Sequence, residues 1–220
     1  MTRQSMRKMI LSLLLITLTS SGCGHLPKIR ILHDPLTAQE HLALGVSYES
    51  QGKLDQAISE YKAALKKDSK EVGVTPLIYL GNAHAQRKEY KQAEGYYQKA
   101  LKQEPANGQA LNNLAWVYLQ QRIKLQEAEN MVRQALDQNP DNDPNRSGYL
   151  DTLAEILMAQ SQFTEALDLL QEAEVLANPD NTALLSQIYE HKARAYDALG
   201  QPDKAEEVRS QSFLLTPSKH

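Results

Sequence analysis

The sequence predicts an all-α protein built as a stack of about five helix-turn-helix units. Three observations carry this expectation. Ala57, Ala93, Ala128, Ala166 and Ala205 recur at intervals of 36, 35, 38 and 39 residues. Each is preceded by a second small residue, in turn Gly45, Gly81, Ala115, Ala154 and Ala193. The chain is rich in Ala, Leu, Gln, Glu and Lys, which favour helix, and no stretch alternates apolar and polar residues long enough to read as a strand. With 41% hydrophobic and 23% charged residues, the 220-residue chain can fold as a globular protein.

At the N-terminus, Arg3, Arg7 and Lys8 precede the uncharged run Ile10 to Leu18, and Ser20-Ser21-Gly22 lead to Cys23. A basic start, an apolar core of about ten residues and a small-residue exit describe a secretory signal peptide, here residues 1–22. The run is too short to span a bilayer, which takes about 20 apolar residues. Residues 23–36, with Pro27 and Pro35, read as a tether, and Leu26, Ile29, Ile31 and Leu32 suggest that part of it docks on the first repeat. Thr37 then suits a helix N-cap, with Glu40 completing a capping box.

The five units follow, at about residues 38–71, 74–107, 108–142, 147–180 and 186–219. The first carries Leu44-Gly45, Tyr48, Gly52, Ala57, Tyr61 and Ala64-Leu65; the second carries Leu80-Gly81, His84, Tyr90, Ala93, Tyr97 and Ala100-Leu101. The third, Leu114-Ala115 to Asn139-Pro140, is the fullest copy and holds one extra residue in its turn, around Arg122 to Leu125. The fourth has Leu153-Ala154, Leu157, Phe163, Ala166, Leu170 and Ala173, and the fifth Ala193, Tyr196, Gly200, Ala205, Arg209 and Pro217. Each unit should hold two helices of about 13–16 residues joined by a short turn. Gly52 and Gly200 sit where first helices end, and Pro202 where a second begins. The paired small residues let helices approach closely, and one pair alone cannot bury its apolar face, so stability comes from stacking. The last helix, Asp203 to Ser212, should be a polar cap, followed by a Phe213-Leu214-Leu215 contact patch.

This skeleton resembles the tetratricopeptide repeat across residues 38–219, which implies a right-handed superhelical stack with the first helices lining a concave groove. Gly22-Cys23 resembles the lipobox of bacterial lipoproteins, although Ser20 stands where that family usually has Leu. The resemblance implies that Cys23 carries a lipid and becomes the mature N-terminus. Gly24 after it suggests the outer membrane, facing the periplasm. Tetratricopeptide lipoproteins of this kind serve envelope or pilus assembly.

Little in the sequence suggests catalysis. There is no Gly-rich phosphate loop, no G-x-S-x-G and no H-E-x-x-H. A single cysteine excludes an intrachain disulfide and a Cys-based zinc site. The six histidines are scattered; His84 replaces a repeat tyrosine and reads as packing, and Glu190 and His191 are adjacent on a helix and point apart. The formal charge of -3 and the absence of a basic face argue against nucleic acid. No cofactor or metal is expected.

The remaining candidate is the groove that the resemblance implies, with Asn82, Gln86, Asn112, Asn113, Trp116, Gln120, Asp151, Glu155 and Arg194 as its candidate contact residues. Asn82 and Asn113 stand where such arrays place amides that grip a peptide backbone. Asp151, Glu155, Glu190 and Asp197 make the far half acidic, which favours a basic or neutral partner. The expected function is a non-enzymatic scaffold binding a partner protein or extended peptide. The alternative is a periplasmic chaperone that holds many peptides weakly.

Overall fold

The computed structural model describes residues 34–138 and 143–215. The signal peptide, Cys23, the tether before Asp34, Asn139-Pro140 and Pro217 lie outside the described residues. The chain divides into two compact units, Met1–Leu36 and Thr37–His220. In the first, the Leu36 amide donates to Asp34 Oδ1 at 3.1 Å.

The second unit is an all-α right-handed superhelical stack. Its helices are α1 (Ala38–Ser50), α2 (Leu54–Lys67), the single turn α3 (Ser69–Val72), α4 (Thr75–Gln86), α5 (Tyr90–Gln103) and α6 (Gly108–Gln121). Then come α7 (Leu125–Gln138), α8 (Arg146–Ala159), α9 (Phe163–Leu176), α10 (Thr182–Ala198) and α11 (Pro202–Leu215). Five helix pairs result: α1/α2, α4/α5, α6/α7, α8/α9 and α10/α11. Each second helix also packs on the next first helix, and α4, α6, α8 and α10 touch in series to form one layer. The turn α3, capped by the Asp68 side chain at the Lys70 and Glu71 amides, fills the longer connection between the first two pairs.

Entry into the stack follows the capping box read from the sequence. The Glu40 amide donates to Thr37 Oγ1 at 3.1 Å, and the Thr37 amide donates to Glu40 Oε2 at 2.9 Å. Within all five pairs the first helix ends in the same Schellman turn. Its outer bond runs from the Lys53, Glu89, Ile123, Gln162 and Gln201 amides to the carbonyls of Tyr48, His84, Tyr118, Leu157 and Tyr196. The turn requires one left-handed residue, which is Gly52 and Gly200 in the outer pairs but Lys88, Arg122 and Ser161 in the inner ones. The extra residue of the third pair is Lys124, which follows the completed turn at φ 49°. Its ammonium lies 4.5 Å from the Tyr118 ring centre and 3.1 Å from the Tyr118 hydroxyl.

Close approach inside each pair depends on matched sizes. A Cβ built on Gly45 would lie 2.3 Å from Tyr61 Cε1, and one on Gly81 would lie 2.3 Å from Tyr97 Cε1. At the same register the third and fourth pairs combine Ala115 with Val132 and Ala154 with Leu170, all fully buried. Where the small residue is glycine its partner is tyrosine; where it is alanine the partner is smaller. In the fifth pair the partner is Arg209, whose guanidinium bonds to Asp197. Tyr61 likewise donates to Glu49, at 2.6 Å, from the equivalent position of the first pair. Helix α8 is the most deeply packed, with both faces against neighbours and Leu150, Leu153, Ile156 and Leu157 almost wholly buried. Each such side chain contributes about 1.5–3 kcal/mol.

The last helix is longer than expected: α11 runs through to Leu215, so Phe213 and Leu214 are helical and 78% and 82% exposed. Among the described residues nothing follows it in the stack, which leaves its outer side in solvent.

The size match yields a double-mutant test. Gly81→Ala should lower unfolding stability by about 1–3 kcal/mol, the usual cost of overpacking. Adding Tyr97→Val, which recreates the Ala115–Val132 combination, should recover at least about 1 kcal/mol of the summed single effects in urea unfolding. Strict additivity of the two changes would show that the helices do not meet there.

Candidate functional site

The layer of first helices carries two clefts. The first has a volume of about 250 Å³ and spans α4, α6 and the starts of α8 and α10. Amides dominate its walls: Asn82, Gln109, Asn112, Asn113, Asn145 and Asn181. Ile78, Tyr79, Tyr149 and Leu184 supply apolar surface, and among the described residues no charged side chain lines it.

The amides are not equivalent. Asn82 Oδ1 accepts from Tyr97 Oη at 2.8 Å and from Asn113 Nδ2 at 2.9 Å. Asn113 Oδ1 in turn accepts from Asn112 Nδ2 at 3.3 Å. Burial and the Glu49 charge push the Tyr97 hydroxyl well above the usual phenol range, so it stays a donor. The Asn112 carbonyl oxygen is buried and has no partner among the described residues. The amide chain therefore starts at a core tyrosine and ends in a buried, unused acceptor on a residue that lines the cleft. At the far wall the Asn145 side chain donates to Asp143 at 2.9 Å, and Asn181 Oδ1 caps α10 at the Leu184 amide, 3.2 Å away.

The second cleft, of about 470 Å³, lies towards the opposite ends of α6, α8 and α10. Gln120, Arg122, Glu155, Met158, Ser161 and Arg194 are among its walls. Behind it sits a charged cluster joining the fourth and fifth pairs. His191 Nδ1 lies 2.7 Å from Asp151 Oδ1, and its Nε2 lies 3.2 Å from Glu155 Oε1. Gln187 donates to Asp151 Oδ2 at 2.7 Å, and Arg194 donates to Glu155 at 3.4 Å. Burial alone would lower the His191 pKa, but its bonds to Asp151 and Glu155 outweigh burial and raise it to about 9. Burial would likewise raise the Glu155 carboxyl, yet His191 and Arg194 hold it below the ordinary value. As an imidazolium with both N–H groups donated, His191 has no lone pair for a metal or a substrate proton. Among the described residues no group of three or more His, Cys, Asp and Glu could hold a metal ion.

The nine residues singled out from the sequence thus separate. Asn82, Asn112 and Asn113 line the first cleft, and Gln120, Glu155 and Arg194 line the second. Gln86, Trp116 and Asp151 line neither. Gln86 donates to Glu49 of the preceding pair, and Trp116 is half-buried with its ring edge-on to Tyr90 at 6.4 Å. Asp151 is 1% exposed. The expected acidic half of the groove needs correction at three of its four residues: Asp151 and Glu155 are neutralised by His191 and Arg194, and Asp197 by Arg209, while Glu190 is exposed. His84 does pack, stacked on Tyr96 at 5.3 Å and bonded to Glu89 at 2.6 Å. The sequence reading missed Gln109, Asn145, Asn181 and Arg122. Gln109 stands three and four residues before Asn112 and Asn113, so helical spacing alone could have placed it on their face. Asn145, Asn181 and Arg122 come from helix ends, where no mid-helix periodicity points.

The His191 joint gives a signed pH dependence. Its pKa is raised on folding, so its contribution is full below the unfolded value near 6.5 and is lost as pH rises through about 9. Glu155 acts at the other end, losing its contribution as pH falls through its depressed pKa. Raising pH from 7 to 10 should therefore cost the parent on the order of 2–3 kcal/mol more than it costs His191→Gln, measured by denaturant unfolding. Parallel pH profiles for the two proteins would contradict the charged joint.

Family profiles described as tetratricopeptide repeat match residues 31–72 and 42–103, 84–145 and 186–218. Between the last two stretches lies the α8/α9 pair, which has the same turn and, in Ala154 and Leu170, the same small and bulky residues buried at the same register. No curated protein matches the chain. Among solved structures, Cut9 with Hcn1, a hetero-tetramer of the APC/C, matches at TM-score 0.73 and 21% identity over 84% of this chain. The chain spans only 35% of that protein's length. TTC0263, a thermophilic tetratricopeptide protein of Thermus thermophilus, matches at TM-score 0.69 and 18% identity, over 83% of this chain and 93% of its own. MamA (residue 41 to the end) from Desulfovibrio magneticus matches at TM-score 0.60 and 17% identity, over 81% and 94%. At such identities the likeness is one of fold. Five pairs closed by one turn, packed through one size-matched contact and matched by these profiles show that the chain belongs to the tetratricopeptide-repeat proteins, whose arrays are in general scaffolds for binding other proteins.

Proposed function

We propose that this protein is a non-enzymatic scaffold that binds an extended segment of a partner protein across its amide-lined cleft. The observation that carries this reading is the uncharged wall of amides with the unused Asn112 acceptor. An amide offers both donors and an acceptor, so a row of them can hold a peptide backbone without reading its side chains. Tyr79 and Tyr149 beside them suit the alternate side chains of such a segment. The lipobox-like Gly22-Cys23 supports a lipid anchor, and with it a place on the periplasmic side of the envelope, in envelope or pilus assembly. None of the described helices is long and apolar enough to cross a membrane.

Photo-crosslinking in cells tests the scaffold. A crosslinker at Gln109, exposed in the cleft, should give one stoichiometric adduct, and one at Gln98, exposed on α5, should not. A smear of many adducts at Gln109 would favour the chaperone alternative, and equal yield at both positions would remove the cleft from consideration. For the anchor, Cys23→Ala should move the protein from the membrane fraction to the soluble fraction. Continued membrane attachment of that variant would refute lipidation.

A further inference from the structure

We infer that one end of the first two helix pairs is a docking surface for anionic lipid headgroups, which lays this end of the array on the membrane. The inference rests on the lipid-anchor reading and adds the orientation of the anchored protein.

The surface is built from lysines at three helix ends. Lys62 and Lys66 stand one turn apart on the exposed side of α2, Lys70 lies in α3, and Lys102 is in the last turn of α5. Folding brings these ends together: a Cβ built on Gly73, just past α3, would lie 3.8 Å from the side chain of Glu104, just past α5. None of the four ammonium groups has an ion-pair partner among the described residues. Over residues 62–71 and 99–104, six lysines stand against three carboxylates, Asp68, Glu71 and Glu104. Two of the three are engaged, Asp68 at the α3 amides and Glu104 at the Asn107 side chain, 2.9 Å away.

The lysines are not a rule of the fold. Lys66 and Lys102 share one register, nine residues after Ala57 and Ala93, where the later second helices carry Asp137, Val175 and Leu214. The fourth pair has the opposite character: from Asp143 to Asp180 the chain holds eight carboxylates and one basic residue, Arg146. No helix is basic along its whole length, so the charge gathers only when the ends assemble.

The point where the chain enters the stack selects the partner. Helices α1 and α2 run antiparallel, with His41 bonded to Glu60 at 2.6 Å, and α1 also packs on α3. Thr37 therefore enters at the same end as the lysines. Fourteen peptide steps lead from Cys23 to Thr37, at most about 50 Å of chain. An anionic bilayer attracts lysines within a Debye length of its surface, about 8 Å at physiological salt. A long polyanion such as nucleic acid would run on to the acidic fourth pair and be repelled there. Several acyl chains already supply attachment, so the lysines set orientation: the first two pairs rest on the lipid and the fourth is held off it.

The mature lipidated protein, reconstituted on vesicles, tests this through quenching by headgroup-attached spin labels. A fluorophore is placed at Ser59→Cys, exposed on α2 beside the lysines, or at Thr164→Cys, exposed on α9. Adding phosphatidylglycerol to phosphatidylcholine vesicles should raise quenching at position 59 about twofold, and 1 M salt, with a screening length of about 3 Å, should remove the rise. Position 164 should respond to neither. Lys62→Gln, Lys66→Gln and Lys102→Gln together break no contact among the described residues, so this variant should melt like the parent and lose the rise. Quenching at position 59 that ignores lipid charge would overturn the inference. So would an equal rise at both positions, or a rise that survives the triple substitution. Flotation with phosphatidylcholine vesicles reads the anchor separately. If it fails, the anchor reading falls, and the inference is then decided by whether phosphatidylglycerol vesicles still float the parent but not the triple variant.

Discussion

The structure depends on one contact, the approach of a small residue on each first helix to a bulkier one on its second. Gly45 and Gly81 receive the rings of Tyr61 and Tyr97 so closely that a methyl group would collide. Ala115 and Ala154 face Val132 and Leu170 at the same register, all with no more than trace exposure. Where the first helix gains a methyl group, the second carries a smaller side chain in place of the ring. Because interiors are close-packed, this fixes the separation within each pair, and so the shape offered to the next pair.

Stacking then adds polar joints between repeats. Arg87 reaches Asp55 at 2.6 Å, and Arg133 reaches Glu165 at 2.8 Å. Lys192, only 7% exposed, bonds Glu174 at 2.6 Å and Gln171 at 3.1 Å. Exposed pairs of this kind contribute about 0–1 kcal/mol each, and buried ones often little net stability. Their effect is on register: a slipped stack would leave Lys192 or the Asp151–His191 pair buried without a counter-charge. The two clefts lie on the helix layer that these joints hold in place, which keeps their amides and arginines at fixed spacing.

Much of this was legible in the sequence. The alanine series, the Thr37 capping box and Gly52 and Gly200 each have a local physical cause that residue identity reveals. Lys88, Arg122 and Ser161 adopt the same left-handed turn without being glycine. There the tertiary fold overrides local preference, at a cost of about 1–3 kcal/mol per residue, and no residue type announces it. The site was harder to read for a different reason. His191 and Asp151 meet across 40 positions of sequence, so a charge count along the first helices took the Asp151 carboxylate for solvent-exposed acid. Asn82 was recognised as a groove residue, but its carbonyl is shared by Tyr97 and Asn113 through contacts that only the folded stack creates. The free acceptor belongs instead to Asn112.

These features describe an array whose layer of first helices carries a cluster of side-chain amides, which the proposed function assigns to holding a partner's backbone. The most direct test of that account is to follow side-chain amide signals of the isotope-labelled protein by NMR while adding the segment captured by the cleft crosslink. The account predicts that the signals of Gln109, Asn112 and Asn113 move, while those of Gln98 and Gln126, exposed on second helices, stay in place. Shifts confined to second helices or to the exposed end of α11, with the cleft amides unmoved, would contradict it.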